Sequence, residues 1–335
     1  MSSNKICIIT EDNSLERGGV QAWGYLIEKG LREKYHEELN VKVVEVSQNN
    51  FFIKELLFND SFVLMNIRYL KAIFPLFWIV SWFKNVTVLI HGDDILYKSF
   101  IEKIYVYSLL KFSRARFVSN SRYTANRLVK IWGVKSDIIN PFVLSANKVK
   151  VESKANEPKR IISIGRLVKR KNHISVIRAL EILIGEGFDI SYDIVGDGPE
   201  MKTLRDIACG STVSERVFFH GRISEEQKEI LLSKSDVLIL PSKIINSDAT
   251  VEGYGMVFVE ASGYGIPSIG GVSGGMPEAI IEGVTGELTS GEVVDLSDKI
   301  KYVFSRDYDV ELMKNHARSH LYNRQDEFYE EIIHD

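Results

Sequence analysis

Apolar positions along the chain fall into short runs separated by longer stretches of mixed character. In the first half, "KICIIT" (5–10) reads as a strand, "VQAWGYLIEKGLREKY" (20–35) as an amphipathic helix and "VKVVEVS" (41–47) as a second strand. "SFVLMNI" (61–67), "VTVLIH" (86–91) and "ARFVSNS" (115–121) are further strand-like runs with helical material between them. The segment Val151–Arg160, "VESKANEPKR", is polar, charged and carries a proline, which predicts a linker. Beyond it the rhythm restarts. Strands are expected at "RIISIG" (160–165), "SYDIV" (191–195), "RVFFHG" (216–221), "DVLILPS" (236–242) and "IPSIGG" (266–271). Helices are expected at 173–187, 200–208, 224–234, from about Met256, and at "MPEAIIEG" (276–283). Strand–helix alternation of this kind predicts parallel sheets with crossover helices. Two doubly wound, Rossmann-like α/β domains facing a central cleft are expected, with boundaries at 1–150 and 151–310. Helical residues 311–335 would pack back toward the first domain. Ligands of such folds sit at the carboxyl ends of the strands.

With 335 residues, the chain is long for one core and comfortable for two. Hydrophobic content of 45% and charged content of 26% are those of a globular protein. Cys7 and Cys209 suggest no disulfide framework, so a reducing, cytoplasmic compartment is expected. No secretory leader is read at the N-terminus, and the most apolar run, Ala72–Phe83, is too short to span a bilayer. The net charge of −3 divides unevenly: residues 1–150 hold 21 Lys+Arg and 14 Asp+Glu (+7), the remainder 21 and 31 (−10). A basic first half suggests an anionic partner. Two aromatic-rich segments flanked by Arg68, Lys71 and Lys84, and by Lys103, Lys111, Arg114 and Arg116, make peripheral contact with an anionic membrane the expectation. Nucleic acid is not expected.

The candidate chemistry begins after the strand ending at Gly165. Arg166, Lys169, Arg170 and Lys171 follow it, and cations at a strand's carboxyl end suit a diphosphate. A second anion site is expected where Gly253 and Gly255 lead into the helix near Met256, because free backbone amides at a helix N-terminus attract phosphates and glycines let them approach. Within "VEGYGMVFVEASGYGIPS" two carboxylates stand out, Glu252 before the helix and Glu260 in its second turn. Glu260 could accept hydrogen bonds from a ribose diol. A salt bridge to a neighbouring Lys or Arg is the plainer alternative.

The ordered series "GRLVKRKN", "IVGDGP", "VFFHGRIS", "VLILPS", "EGYGMVFVEASGYGIPSIGG" and "GGMPEAIIEGVTGEL", covering about residues 160–290, resembles the nucleotide-sugar domain of retaining glycosyltransferases of the GT-B fold, family 4. The resemblance implies that Glu260 holds the ribose of a nucleotide-diphosphate sugar and Glu252 orients its sugar. Arg166 and Lys171 would grip the diphosphate and offset leaving-group charge, with the amides of Gly255, Met256 and Val257 also meeting phosphate and Arg222 and Ile223 near the base. In the first half it implies that Gly18 and Gly19 lie where acceptor and donor phosphate meet, and that His91 lies beside the reacting sugar. Asp93 and Asp94 tempt a metal reading, but neither a metal nor any cofactor beyond the co-substrate is expected. The function so implied is retaining, metal-independent transfer of a hexosyl group from a UDP- or GDP-sugar to a glycan or lipid-linked acceptor, in cell-surface polysaccharide, lipopolysaccharide or glycolipid synthesis. A nucleotide-sugar epimerase and a non-catalytic binding protein are the alternatives. A dehydrogenase is disfavoured because no G-x-G-x-x-G follows a strand. Two departures from the family pattern stand out: the long segment "KIINSDATV" before Glu252, and Asn172 where many relatives have glycine.

Overall fold

The computed structural model describes residues 4–15, 18–46, 55, 57–68, 76–96, 99–151, 157–245 and 250–334. The expectations at Lys71, at half of the linker (152–156) and at the centre of "KIINSDATV" lie outside the described residues. The chain divides into two compact units, one of residues 1–144 with 320–335 and one of residues 145–319.

The first unit contains β1 (Asn4–Thr10), α1 (Gly19–Tyr35), β2 (Leu39–Glu45), β3 (Ser61–Leu64), α2 (Leu76–Phe83), β4 (Asn85–Ile90), α3 (Phe100–Phe112), β5 (Arg116–Ser119), α4 (Arg122–Trp132) and β6 (Asp137–Ile138). Its strands form a parallel sheet in the order β2-β1-β3-β4-β5-β6. The central strands are buried on both faces, which explains why they read as unbroken apolar runs rather than alternating ones. Helix ends follow their sequence signals. Ser99 and Ser121 accept amides three residues on, and Gly133 closes α4 in the left-handed conformation.

The second unit contains β7 (Lys159–Ile164), α5 (His173–Gly185), β8 (Ile190–Val195), α6 (Met201–Cys209), β9 (Val217–Gly221), α7 (Glu225–Ser233), β10 (Val237–Leu240), α8 (Met256–Tyr264), β11 (Ser268–Gly271), α9 (Met276–Ala279), β12 (Gly286–Thr289), α10 (Val293–Ser305) and α11 (Val310–Ser319). Its parallel sheet has the order β12-β11-β10-β7-β8-β9. Counted from β7, this is the 3-2-1-4-5-6 order of dinucleotide-binding folds, with its switch point between β7 and β10.

The expected helix over 276–283 is shorter than its sequence suggests. It ends at Ala279, where Ile280 turns extended, Thr285 Oγ1 accepts the Ile281 amide and Gly283 adopts a positive φ. Of the C-terminal residues, α11 belongs to the second unit; α12 (Asp326–His334) packs in the first. There Tyr329 lies so close to Gly30 of α1 that a β-carbon on Gly30 would sit 2.0 Å from its hydroxyl. Phe142 completes the contact, edge-on to Phe328 and Tyr329.

Candidate functional site

The loop leaving β7 is stacked on the loop leaving β8. Gly165 N–H donates to Val195, Gly196 N–H to Gly221 and Leu167 N–H to Asp197, at 2.8–3.0 Å. The chain then makes a 3-10 turn over Lys169–Lys171, and Asn172 takes a left-handed conformation (φ 58°, ψ 34°) before α5. Asn172 does more than tolerate that conformation. Its Nδ2 donates to the Gly291 carbonyl at 2.9 Å, and its Oδ1 accepts from Ser175 Oγ at 2.8 Å. Asn172→Gly keeps the turn but loses both ties, so a stability loss of about 1 kcal/mol is expected. Asn172→Ala should cost more, because it adds left-handed strain of about 1 kcal/mol. Urea unfolding of the two variants checks the order.

Beneath the turn lies a buried chain of hydrogen bonds. Ser163 Oγ donates to the Ile239 carbonyl, Tyr192 Oη to Ser163 at 2.8 Å, and His173 Nδ1 meets Tyr192 Oη at 3.0 Å. A carbonyl only accepts, so the donors all run one way and the neutral His173 ring carries its proton on Nδ1. Burial, with Lys171 nearby, pushes the His173 pKa down to about 3. The chain ties β7, β8, β10 and the start of α5 together directly under the basic loop.

Lys171, itself buried, points its ammonium at Glu252 (2.5 Å), and Arg170 reaches the same carboxylate oxygen at 2.7 Å. Burial disfavours the charged Glu252, but Lys171 and Arg170 outweigh it and hold the carboxyl down at about 2. Burial and the Arg170 charge shift the Lys171 pKa downward against the pull of Glu252. The Glu252 backbone is anchored separately: its carbonyl accepts the Gly275 amide at 2.9 Å, and a β-carbon on Gly274 would lie 2.4 Å from it. Arg166 is exposed, without a side-chain ion pair among the described residues. Of the two expected phosphate cations, then, only Lys171 is joined to Glu252. Arg170 was read from the sequence only as one of the four cations suiting a diphosphate; its pairing with Glu252 spans 82 positions and leaves no local signal.

Gly255 (φ 98°) caps α8, whose first turn offers the amides of Met256 and Val257. Glu260 meets Lys228 of α7 at 3.0 Å, the salt-bridge alternative weighed above. Lys228 also meets Glu225 at 2.7 Å. Burial lowers its pKa, but the two carboxylates outweigh burial and raise it. The capping box of Ser224 and Gln227 fixes where α7 starts and so where Lys228 stands. The Glu225–Lys228 i,i+3 spacing was the signal available in the sequence. Arg222 is exposed, 3.7 Å from Asp197, and Ile223 is half-buried just beyond β9.

In the first unit Gly18 (φ 139°) and Gly19 open α1 at the carboxyl end of β1, where the strand order reverses between β1 and β3. His91 follows β4. Its Nε2 lies 2.6 Å from the Met65 carbonyl, which only accepts, and its ring meets Trp23 edge-on at 5.5 Å. Burial shifts its pKa downward, opposed by Asp94. Asp94 accepts the amides of His91 and Gly92 at 3.0–3.1 Å, so its carboxylate organises the turn.

The aromatic segments have two characters. Val106, Leu109 and Leu110 of α3 are in the core, while Phe100, Ile101, Ile104 and Phe112 of α3, and Ile79, Trp82 and Phe83 of α2, are exposed. Trp82 Nε1 donates to the Phe112 carbonyl at 3.3 Å, and Arg114 stacks over Trp82 at 4.0 Å, which ties α2 to the C-terminal end of α3. Arg116 does not belong to that surface. It is paired with Asp137 and Glu331. No helix among the described residues is long and apolar enough to cross a membrane.

Two Rossmann-type units, one with cation–carboxylate pairs around its switch point, define an α/β protein of GT-B fold. The family model for glycosyl transferases group 1 matches residues 145–320, a little over half of the sequence, and the chain belongs to that family. A GDP-mannose-dependent alpha-(1-6)-phosphatidylinositol monomannoside mannosyltransferase of Mycolicibacterium smegmatis is 32% identical over 186 residues, 52% of this chain and 49% of that protein. The match thus spans about half of that relative's length. Among solved structures, HepE of Anabaena in complex with UDP aligns with a TM-score of 0.74 at 18% identity, covering 97% of this chain and 98% of that one. The apo form of the lipopolysaccharide outer core galactosyltransferase WaaB aligns at 0.70 and 16% identity, over 98% and 99%.

Proposed function

We propose that the protein is a retaining hexosyltransferase that takes a UDP- or GDP-linked sugar and glycosylates a glycan or lipid-linked acceptor in polysaccharide, lipopolysaccharide or glycolipid synthesis. The observation that carries this reading is the Lys171–Glu252–Arg170 cluster at the switch point of the second sheet, where α/β folds bind nucleotides. Lys171 and Arg166 would hold the diphosphate with the α8 amides of Gly255, Met256 and Val257, Glu252 the sugar, Glu260 the ribose, and Arg222 and Ile223 the base. His91, Gly18 and Gly19 are the first unit's candidates for the acceptor side. Two cations beside the leaving diphosphate can neutralise developing charge without a metal, and the protein's contribution is then positioning and charge stabilisation. The similar proteins support the substrate class: the mycobacterial relative is named for GDP-mannose and a phosphatidylinositol mannoside, and HepE was solved with UDP.

A thermal-shift panel of nucleotide sugars should find at least one that raises the unfolding midpoint. The anomeric configuration of the transferred sugar, read by NMR, then tests retention; an inverted product would sink it. Epimerised free sugar without acceptor transfer would favour the epimerase alternative. Glu260→Ala should weaken UDP or GDP binding by roughly tenfold in calorimetry, because a charge-assisted contact is worth about 1.5–3 kcal/mol.

The exposed face of α2 and α3, with Arg114, Lys103 and Lys111 nearby, suits an anionic bilayer. Phe83→Asp combined with Ile101→Asp should cut sedimentation with phosphatidylglycerol vesicles by tenfold or more, at about 1.5–3 kcal/mol per buried side chain. Equal sedimentation of both proteins would remove this face from the membrane reading.

A further inference from the structure

Glu252 stands against Lys171, which the proposed reaction needs for phosphate, and against Arg170 of the same basic loop. Its carboxylate oxygen takes both Lys171 and Arg170, and the three side chains are only 14%, 8% and 19% exposed, so these attractions are weakly screened. Arg166, at the start of the same loop, is exposed and has no ion pair among the described residues. The Glu252 main chain is held by Gly275 and closely packed against Gly274. Its side chain can therefore change partners by rotation while the loop stays in place.

We propose that Glu252 is an internal competitor for the phosphate-binding cations and thereby a specificity determinant, selecting diphosphates that carry a sugar over those that do not. This rests on the donor reading given above. A diphosphate arriving at Lys171 and Arg170 must displace the carboxylate, and a displaced, buried carboxylate needs new donors. Hydroxyl groups of an attached sugar are such donors. Pyrophosphate brings none, and the ribose hydroxyls of a nucleoside diphosphate go to Glu260 in the donor reading, so Glu252 keeps pulling on the cations and opposes binding. The same competition acts after transfer. Once the sugar has left, Glu252 returns to Lys171 and Arg170 and loosens the diphosphate product.

Calorimetry on the full chain tests this with pyrophosphate, UDP and GDP, and with UDP-glucose and GDP-mannose as the sugar-bearing partners. Glu252→Gln should bind pyrophosphate and the nucleoside diphosphates roughly tenfold more tightly than wild type, since a like charge is removed beside the anion. The preference for sugar-bearing over sugar-free nucleotide should fall by a similar factor. Equal or weaker binding of the sugar-free anions by folded Glu252→Gln overturns the proposal. Removing this carboxylate leaves two buried cations less compensated, so folding of the variant is checked by circular dichroism. Where it fails, Arg170→Gln is compared with Arg170→Gln/Glu252→Gln, and the same tightening is expected on adding the second change. Tighter pyrophosphate binding with no nucleotide sugar bound or turned over by wild type retains the competition for the cations and overturns the donor reading. Nucleotide-sugar turnover with unchanged pyrophosphate affinity does the reverse.

Discussion

Lys171→Ala is expected to lower kcat/KM for the donor by two to three orders of magnitude, the scale seen when one preorganised charge at a reacting group is removed. Nucleotide affinity should fall by tenfold or more, at about 1.5–3 kcal/mol for a charge-assisted hydrogen bond. Stability should change less than breaking a buried pair usually implies, about 3–5 kcal/mol. Two features of the site explain why. Arg170 still holds Glu252 at 2.7 Å, so the carboxylate is not orphaned. Burial already works against the charged ammonium, lowering the Lys171 pKa, and the variant escapes that cost. The acid limb of stability carries the signature. Glu252 sits at about 2 against an ordinary 4.5, a depressed carboxyl. Its contribution is therefore complete above about pH 4.5 and disappears as pH falls toward 2. In Lys171→Ala the carboxyl climbs back toward its ordinary value, so urea unfolding between pH 2 and 7 should show a shallower loss over that window. Equal acid limbs in the two proteins would mean that Lys171 does not hold the Glu252 charge.

Most strands were legible because parallel strands buried on both faces leave continuous apolar runs, as in "ISYDIV", buried at every position. β12 was not, since "GELT" puts Glu287 in a buried strand, which Lys299, 3.2 Å away on α10, and Tyr308, donating at 3.3 Å, make tolerable. The excess length read into 276–283 had a similar cause: two isoleucines continued the apolar pattern, while the hydroxyl that ends the helix, Thr285, lies beyond it. At the candidate site, Glu252 and Glu260 announced themselves as charges among apolar and small residues. Their partners did not. Arg170, Lys171 and Lys228 are 82, 81 and 32 positions away from the carboxylates they meet, and only the sheet order brings them there. A sequence can thus mark a buried charge as needing a partner without saying which cation supplies it.

The second large effect is expected from Gly196→Ala, far in sequence from any of these charges. Gly196 has φ of 130°, and a β-carbon there would lie 2.0 Å from the Gly165 carbonyl oxygen. Neither loop can retreat cheaply. Gly196 N–H is bonded to Gly221 at 2.8 Å, and Gly165 N–H to Val195 at 3.0 Å, so moving either loses a backbone hydrogen bond. The combination of positive-φ strain and a backbone clash should cost about 3–5 kcal/mol. At roughly 2–4 °C per kcal/mol for a unit of this size, the second unit's unfolding midpoint should fall by about 10 °C or more. Gly187→Ala is the internal control. Gly187 also has a positive φ, 92°, but nothing lies within 4 Å of its added β-carbon, so only strain of about 1 kcal/mol is expected. Nucleotide affinity should separate the two as well, because the Gly165 carbonyl opens the loop that carries Arg166, Arg170 and Lys171. Similar midpoints and similar affinities for the two variants would show that the close approach of these loops is not what requires glycine at 196.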